Sequence, residues 1–262
     1  MLTDFSPQAM CALNAAVLLA KKSGAGIVLL HSMLSAEDGV DGAVAREELE
    51  MQLQELAASF PEVQIHTELC RGNLVEKILG AANKWEADLI TMGSHGQGGK
   101  ADYLIGSLAQ KVVRMAHIPV LIVKKEWNFR SIQRVVYASD FMPDAGHAFQ
   151  VFKKMIRYFS PEIHLVYVQS NPFFRESYPA VQERMEQFCR QAQPYKCKTH
   201  YLRDLSADAG IRGLSKSLGA ELIGISNHAK HPLKRMLTGS TVEALVNHAM
   251  IPVLSVNYID QE

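Results

Sequence analysis

The segment EADLITMGSHGQGGKADYLIGS, Glu86–Ser107, decides how the chain is read. It leads from a short apolar run, through a glycine-rich link that carries a lysine, into a helix-like stretch. Its first part has a counterpart downstream: EADLITMGSH at 86–95 aligns with GAELIGISNH at 219–228, and AHIPVLIV at 116–123 aligns with AMIPVLSV at 249–256. His95 and His228, Gly106 and Gly239, and Pro119 and Pro252 all stand 133 positions apart. Near the start, Thr3–Pro7 (TDFSP) resembles Ser139–Pro143 (SDFMP) at an offset of 136. A period this long means two duplicated domains and not a solenoid of short repeats. The domains are predicted at 1–127 and 128–262, with the boundary near Glu126–Arg130.

Working outward, strands alternate with helices in each half. Ser6-Pro7 reads as an N-cap with proline at the first helical position, and the helix runs to Lys22 before Gly24. IVLLH at 27–31 has the continuous apolar character of a buried parallel strand. A helix over 43–59, a strand over 63–71, a helix over 74–85, a strand over 88–93, a helix over 107–116 and a strand over 119–123 complete the first half. The second half repeats the order with RVVYAS, EIHLVYV, KCKTHYL, ELIGIS and PVLSV as strands. Its helices are expected near 145–158, 181–191, 207–218 and 240–247. Such alternation predicts an α/β fold: two tandem Rossmann-like domains, each a five-stranded, mainly parallel sheet flanked by helices.

Composition narrows the function classes. The 262 residues are 48% apolar and 21% charged, and Lys+Arg and Asp+Glu balance at 27 each. No net field and no basic stripe invites nucleic acid. The apolar run Ala12–Ala20 is shorter than the ~20 residues that a membrane span requires. Asp4 and the polar residues after it do not read as a secretory signal, so a cytoplasmic protein is expected. Cys11, Cys70, Cys189 and Cys197 form no CxxC pair and no zinc-like spacing with histidine. Four free thiols in a reducing cytosol are the expectation.

Three glycine patterns compete for the link. A Walker loop fails, because Ser94 stands at its first glycine and Ala101 where Ser or Thr should hold magnesium. Gly96, Gly98 and Ala101 satisfy a dinucleotide fingerprint, but after the fourth strand instead of the first. The third pattern, G-x2-G-x9-G-[ST], is met by Gly93, Gly96, Gly106 and Ser107. It places glycines at the carboxyl end of a strand, where open α/β sheets bind ligands. It also opens a helix at Gly106-Ser107, whose amides and dipole favour an anion. A nucleotide phosphate cradle is the reading. Other residues have plainer roles. His95 has no acid or nucleophile placed beside it and reads as a loop hydrogen-bonding residue, and His31 reads as a core or rim histidine. Lys100 reads equally as a phosphate contact or a solvated lysine. HAKHPLKR at 228–235 reads as a solvated basic loop. No catalytic residue and no metal ligand set is identified.

TDFSP, LLH, DLITMGSHG, the spaced GS and IPVLIV together resemble the universal stress protein family in its tandem form, over nearly the whole chain. The resemblance implies two domains of the adenine-nucleotide-α-hydrolase-like fold and ATP as the ligand, with or without magnesium, AMP and ADP being alternatives. It implies that Asp4 approaches the ribose and Ser32 lines the adenine pocket. Met92 and Gly93 would touch the adenosine, and Gly96, Gly106 and Ser107 would hold phosphates, with Leu108 near them. Leu2 stands where family members usually have proline, and Ser32 where they usually have valine. The chain starts two residues before Thr3, so a short first strand is expected. In the second half the glycine positions read Ser226, Ala229, Gly239 and Ser240, so weak or absent ATP binding is expected there. Asp140 and Val168 stand at its ribose and adenine positions. The resemblance further implies an internal pseudo-dimer paired through Val120–Val123 and Val253–Val256, with a further homodimer and a protein partner left open. The function expected is a non-enzymatic, ATP-binding stress-response protein. A slow ATPase is the enzymatic alternative, disfavoured because the SGGxDS and HIGH signatures are absent. An interaction module that has lost its nucleotide is the third.

Overall fold

The computed structural model describes residues 1–33, 40–94, 106–127, 131–170, 176–228 and 241–258. By contacts the chain divides into Met1–Met115 with Ile122–Phe129, and Ala116–Leu121 with Arg130–Glu262.

In the first unit the order is β1 (Leu2–Thr3), α1 (Pro7–Ser23), β2 (Ile27–Ser32), α2 (Val40–Ala58), β3 (Ile65–Cys70), α3 (Leu74–Lys84), β4 (Ile90–Gly93) and α4 (Ser107–Met115), with β5 (Val120–Val123) following. Ser6 caps α1 as the Ser-Pro start predicts: its Oγ accepts the Ala9 N–H at 3.2 Å. β1 pairs in parallel with β2, and β2 with β3. β1 is only two residues long and lies beside β4 without joining it in the hydrogen-bonded sheet β1-β2-β3. The core is aliphatic. Leu13, Ala16, Val17 and Ala20 of α1 close over Ile27 and Leu29 of β2 and Leu53 of α2.

The second unit is a complete parallel sheet. Its strands are β6 (Arg134–Ala138), β7 (Glu162–Gln169), β8 (Cys197–Arg203), β9 (Leu222–His228) and β10 (Val253–Tyr258). They lie in the order β10-β9-β6-β7-β8, every neighbouring pair parallel. α5 (Gly146–Ile156) follows a 3-10 turn at Pro143–Ala145, and α6 (Tyr178–Gln191) and α7 (Ala207–Leu218) connect the later strands. A helix over 241–248, α8, precedes β10. The order reverses at β6, between β7 and β9, which is the switch point where sheets of this kind open a crevice. This core is aromatic: Tyr137 packs on Phe141, Phe149 and Phe152, and Phe188 packs on Phe141 and Phe149. Phe152 lies so close over β9 that a methyl on Gly224 would stand 2.3 Å from its Cε2.

One expectation is overturned. Cys189 and Cys197 are not free thiols but a disulfide, with Cα atoms 5.5 Å apart. They stand eight positions apart, a spacing that matches no recognised short motif. They meet because the end of α6 turns back directly into β8. Cys11 and Cys70 are free and half-buried. Among the described residues, no helix is long and apolar enough to cross a membrane.

Candidate functional site

In the first unit Asp4, Ser32, Met92 and Gly93 lie at the carboxyl ends of β1, β2 and β4, and Gly106, Ser107 and Leu108 at the start of α4. Thr3 is level with His31 across the β1–β2 pair, so Asp4 leaves the end of β1 beside the end of β2, where Ser32 follows His31. The turn that holds Asp4 is tightly bonded. Thr3 Oγ1 accepts the Phe5 N–H at 3.1 Å, and Asp4 Oδ1 accepts the Ser6 N–H at 3.0 Å. His31 Nδ1 bonds the Thr3 carbonyl at 2.9 Å, and its ring packs against Phe5. Phe5 adopts φ +60°, a conformation that costs a bulky residue energy and is retained where its surroundings enforce it.

Ser32 ends β2 opposite Cys70, the last residue of β3. Burial pushes the Cys70 thiol up, and a hydrogen bond with the Ser32 side chain opposes that shift. Met92 is buried at 2% exposure and Gly93 closes β4. The missing side chain of Gly93 faces the first turn of α1. A methyl there would lie 2.9 Å from the Gln8 carbonyl carbon and 3.1 Å from the Ala9 nitrogen. Close helix packing therefore requires this glycine whether or not a phosphate approaches.

The Ser94 carbonyl accepts the Gly106 N–H at 2.7 Å, so the glycine-rich link leaves and re-enters the fold at one point. Gly106 thus spends its amide inside the protein. The amides of Ser107, Leu108 and Ala109 open α4, where helix geometry supplies no intrahelical acceptor. Ser107 is exposed, and Leu108 and Gly106 are half-buried. Gly96, His95 and Lys100 lie outside the described residues.

The second unit repeats the turn and changes its surroundings. Ser139 Oγ accepts the Phe141 N–H at 3.1 Å, Asp140 Oδ1 accepts the Met142 N–H at 3.2 Å, and Phe141 adopts φ +56°. Ser226, at the Gly93 position, donates its hydroxyl to Ser139 Oγ at 2.8 Å. Arg184 of α6 donates to the Asp140 carbonyl at 3.4 Å and to the Glu176 carboxylate at 2.5 Å. Tyr167 in turn donates to Glu176 at 3.2 Å. Val168 packs against Gly210 of α7. Ala229, Gly239, Ser240 and the basic loop after His228 lie outside the described residues.

Sequence reading missed Thr3, Phe5, Cys70 and Arg184. The TDF and SDF pair was the one available signal for the first two, since both halves keep the hydroxyl that fixes the turn. Nothing in the sequence pointed to Arg184, which reaches Asp140 from 44 residues away.

Among the described residues there is no group of three or more His, Cys, Asp or Glu side chains able to hold a metal ion. The site offers backbone amides, hydroxyls and one carboxylate, a set suited to holding a polar, anionic ligand.

Comparison with known proteins bears on the family and the fold. Universal stress protein MJ0531 of Methanocaldococcus jannaschii is 48% identical over 63 residues, covering 24% of this chain and 37% of that protein. A universal stress protein of Thermus aquaticus is 32% identical over 128 residues, covering 46% of this chain and 93% of its own length. The alignments span 37% and 43% of the lengths of the first two curated relatives. The crystal structure of a universal stress protein from Archaeoglobus fulgidus superposes with a TM-score of 0.77 at 21% identity, covering 100% of this chain and 96% of that one, and so shares the fold. The profile of the Universal stress protein family matches twice, at residues 1–124 and 131–257, and the chain therefore belongs to that family, with two of its domains in tandem.

Proposed function

We propose that this chain is a cytoplasmic, non-enzymatic regulatory protein that binds an adenine nucleotide, ATP foremost, in its first unit. The observation that carries the reading is the Ser94–Gly106 hydrogen bond. It sets the end of β4 against the start of α4, so a strand end and a helix N-terminus face one ligand position. The phosphates would lie on the amides of Ser107, Leu108 and Ala109 with the Ser107 hydroxyl, where the helix dipole favours negative charge. Gly106 would act by closing the link, Gly93 by admitting the first turn of α1 against the end of β4, and Gly96 by leaving the approach unobstructed. Asp4, held by the Ser6 amide, would take the ribose. Ser32 and Met92 would border the base. Magnesium, if it enters with the nucleotide, would be held by the phosphates.

The second unit is proposed to leave this ligand alone. Ser226 spends its hydroxyl on Ser139, and Arg184 and Glu176 stand beside the Asp140 turn. A nucleotide bound in the first unit would regulate only through its different affinities for the conformations of the protein.

Calorimetric titration of nucleotide-stripped protein with ATP and magnesium tests the reading. The expected result is one ATP per chain, abolished by Gly106→Glu and unchanged by Ala229→Glu at the matching position of the second half. Two sites would refute the assignment to the first unit. No binding of any adenine nucleotide would replace the proposal with that of an interaction module.

A further inference from the structure

Away from the candidate site, the second unit carries a pair of sulfurs that the proposed function does not use. Cys189 lies in the last turn of α6 and Cys197 is the first residue of β8. The disulfide between them closes a loop of only eight steps, with a Cα separation inside the normal range for such bonds.

Two features distinguish this pair from a deeply buried crosslink. Both cysteines are half-buried, so a small thiol can reach them. The thiolate is the form that attacks or leaves in exchange. The second feature is that each cysteine is held in place independently of the bond. β8 pairs with β7 from Ile163↔Cys197 to Gln169↔Arg203, and α6 is anchored by buried Val181, Met185 and Phe188. After reduction the two thiols therefore stay close, and re-closing a short loop costs little chain entropy.

We propose that Cys189 and Cys197 form a reversible thiol–disulfide site that exchanges with glutathione-class thiols. In the reducing direction an external thiolate attacks one sulfur of the bond. The S–S bond breaks, a mixed disulfide forms, and the other cysteine leaves as a thiolate that takes up a proton. A second external thiolate then displaces the first from the protein. The sum is protein disulfide plus two thiols giving two protein thiols plus the external disulfide, a transfer of two electrons and two protons. Oxidation is the reverse.

The state of the bond bears on the rest of the unit through α6. That helix carries Arg184, which bonds the Asp140 carbonyl at the end of β6. The oxidised form ties the end of α6 covalently to β8, and the reduced form leaves it held by side-chain packing and by hydrogen bonds, among them Lys153 to the Gln191 carbonyl and Gln182 to Thr199 of β8. None of this requires a nucleotide, so it can fail while the binding proposal stands, and the reverse.

The test equilibrates the full-length folded protein in mixtures of reduced and oxidised glutathione, quenches with acid, alkylates free thiols and maps them by mass spectrometry. The expected result is a reversible two-electron transition confined to Cys189 and Cys197, with Cys11 and Cys70 remaining thiols. Near-ultraviolet circular dichroism should stay native throughout. Cys189→Ser should abolish the transition, and wild-type protein should be cut faster by protease within 190–196 when reduced. Separate glutathione adducts on the two cysteines, with no bond between them, would overturn the proposal. So would a bond that yields only after the chain unfolds.

Discussion

Gly93 answers to two demands that the sequence alone does not separate. It belongs to the spaced glycines of the proposed phosphate cradle, and its Cβ position is already filled by the first turn of α1. The second demand is independent of any ligand, so Gly93→Ala should destabilise the protein even without nucleotide. Forcing a methyl against backbone atoms 2.9 to 3.1 Å away costs about 1–3 kcal/mol. Urea unfolding should show a lower midpoint with an unchanged slope; an unchanged midpoint would show that α1 yields without cost. Gly106 differs in kind. Its N–H closes the link on Ser94, so its contribution at the site is to the loop's geometry and not to direct contact through that amide. Ser226 shows the alternative solution at the Gly93 position, where the second unit accommodates a side chain by giving its hydroxyl a partner.

Among the elements, the β7–β8 pair carries the clearest pH dependence. His164 and His200 share a hydrogen bond of 2.9 Å and stack with ring centroids 5.1 Å apart. Burial pulls both imidazoles below the ordinary histidine value, and the nearby Glu162 carboxylate opposes both shifts. Lys198 and, for His164, Arg134 push in the same direction as burial. The unfolded chain therefore binds protons at a higher pH than the folded one. Their contribution to stability is complete above the ordinary histidine value and falls as pH drops through it toward the depressed folded values. His164→Gln removes one of these groups, so its unfolding midpoint should decline less steeply than that of wild type as pH falls below neutrality. Parallel profiles would exclude the pair as a source of acid sensitivity. The repeated strand-and-helix order of the two halves predicted both strands. The meeting of two histidines was not legible, because register between strands 36 residues apart is set by the sheet.

On the scale of the whole molecule, the duplication has kept its backbone and changed its interior. Phe5 and Phe141 hold φ of +60° and +56° in matching turns, and Asp4 and Asp140 accept the same amide two residues on. The cores have diverged, one built on leucine and alanine and the other on stacked rings. If one unit binds nucleotide, the ligand stabilises the chain by mass action. ATP at a hundredfold excess over its Kd should add about 2.7 kcal/mol to the transition of the binding unit. A melting shift that survives Gly106→Glu would place the ligand elsewhere. The tandem plan, the alternation of strand and helix, the Ser6 cap and the glycine spacing were all determined by the sequence, because apolar period and punctuation act over a few residues. The packing of Gly93 on α1, the use of the Gly106 amide, the Cys189–Cys197 bond and the reach of Arg184 to Asp140 were decided only by the tertiary structure. Each depends on where strand ends and helix ends come to lie once the sheet has formed, and no local pattern encodes that distance.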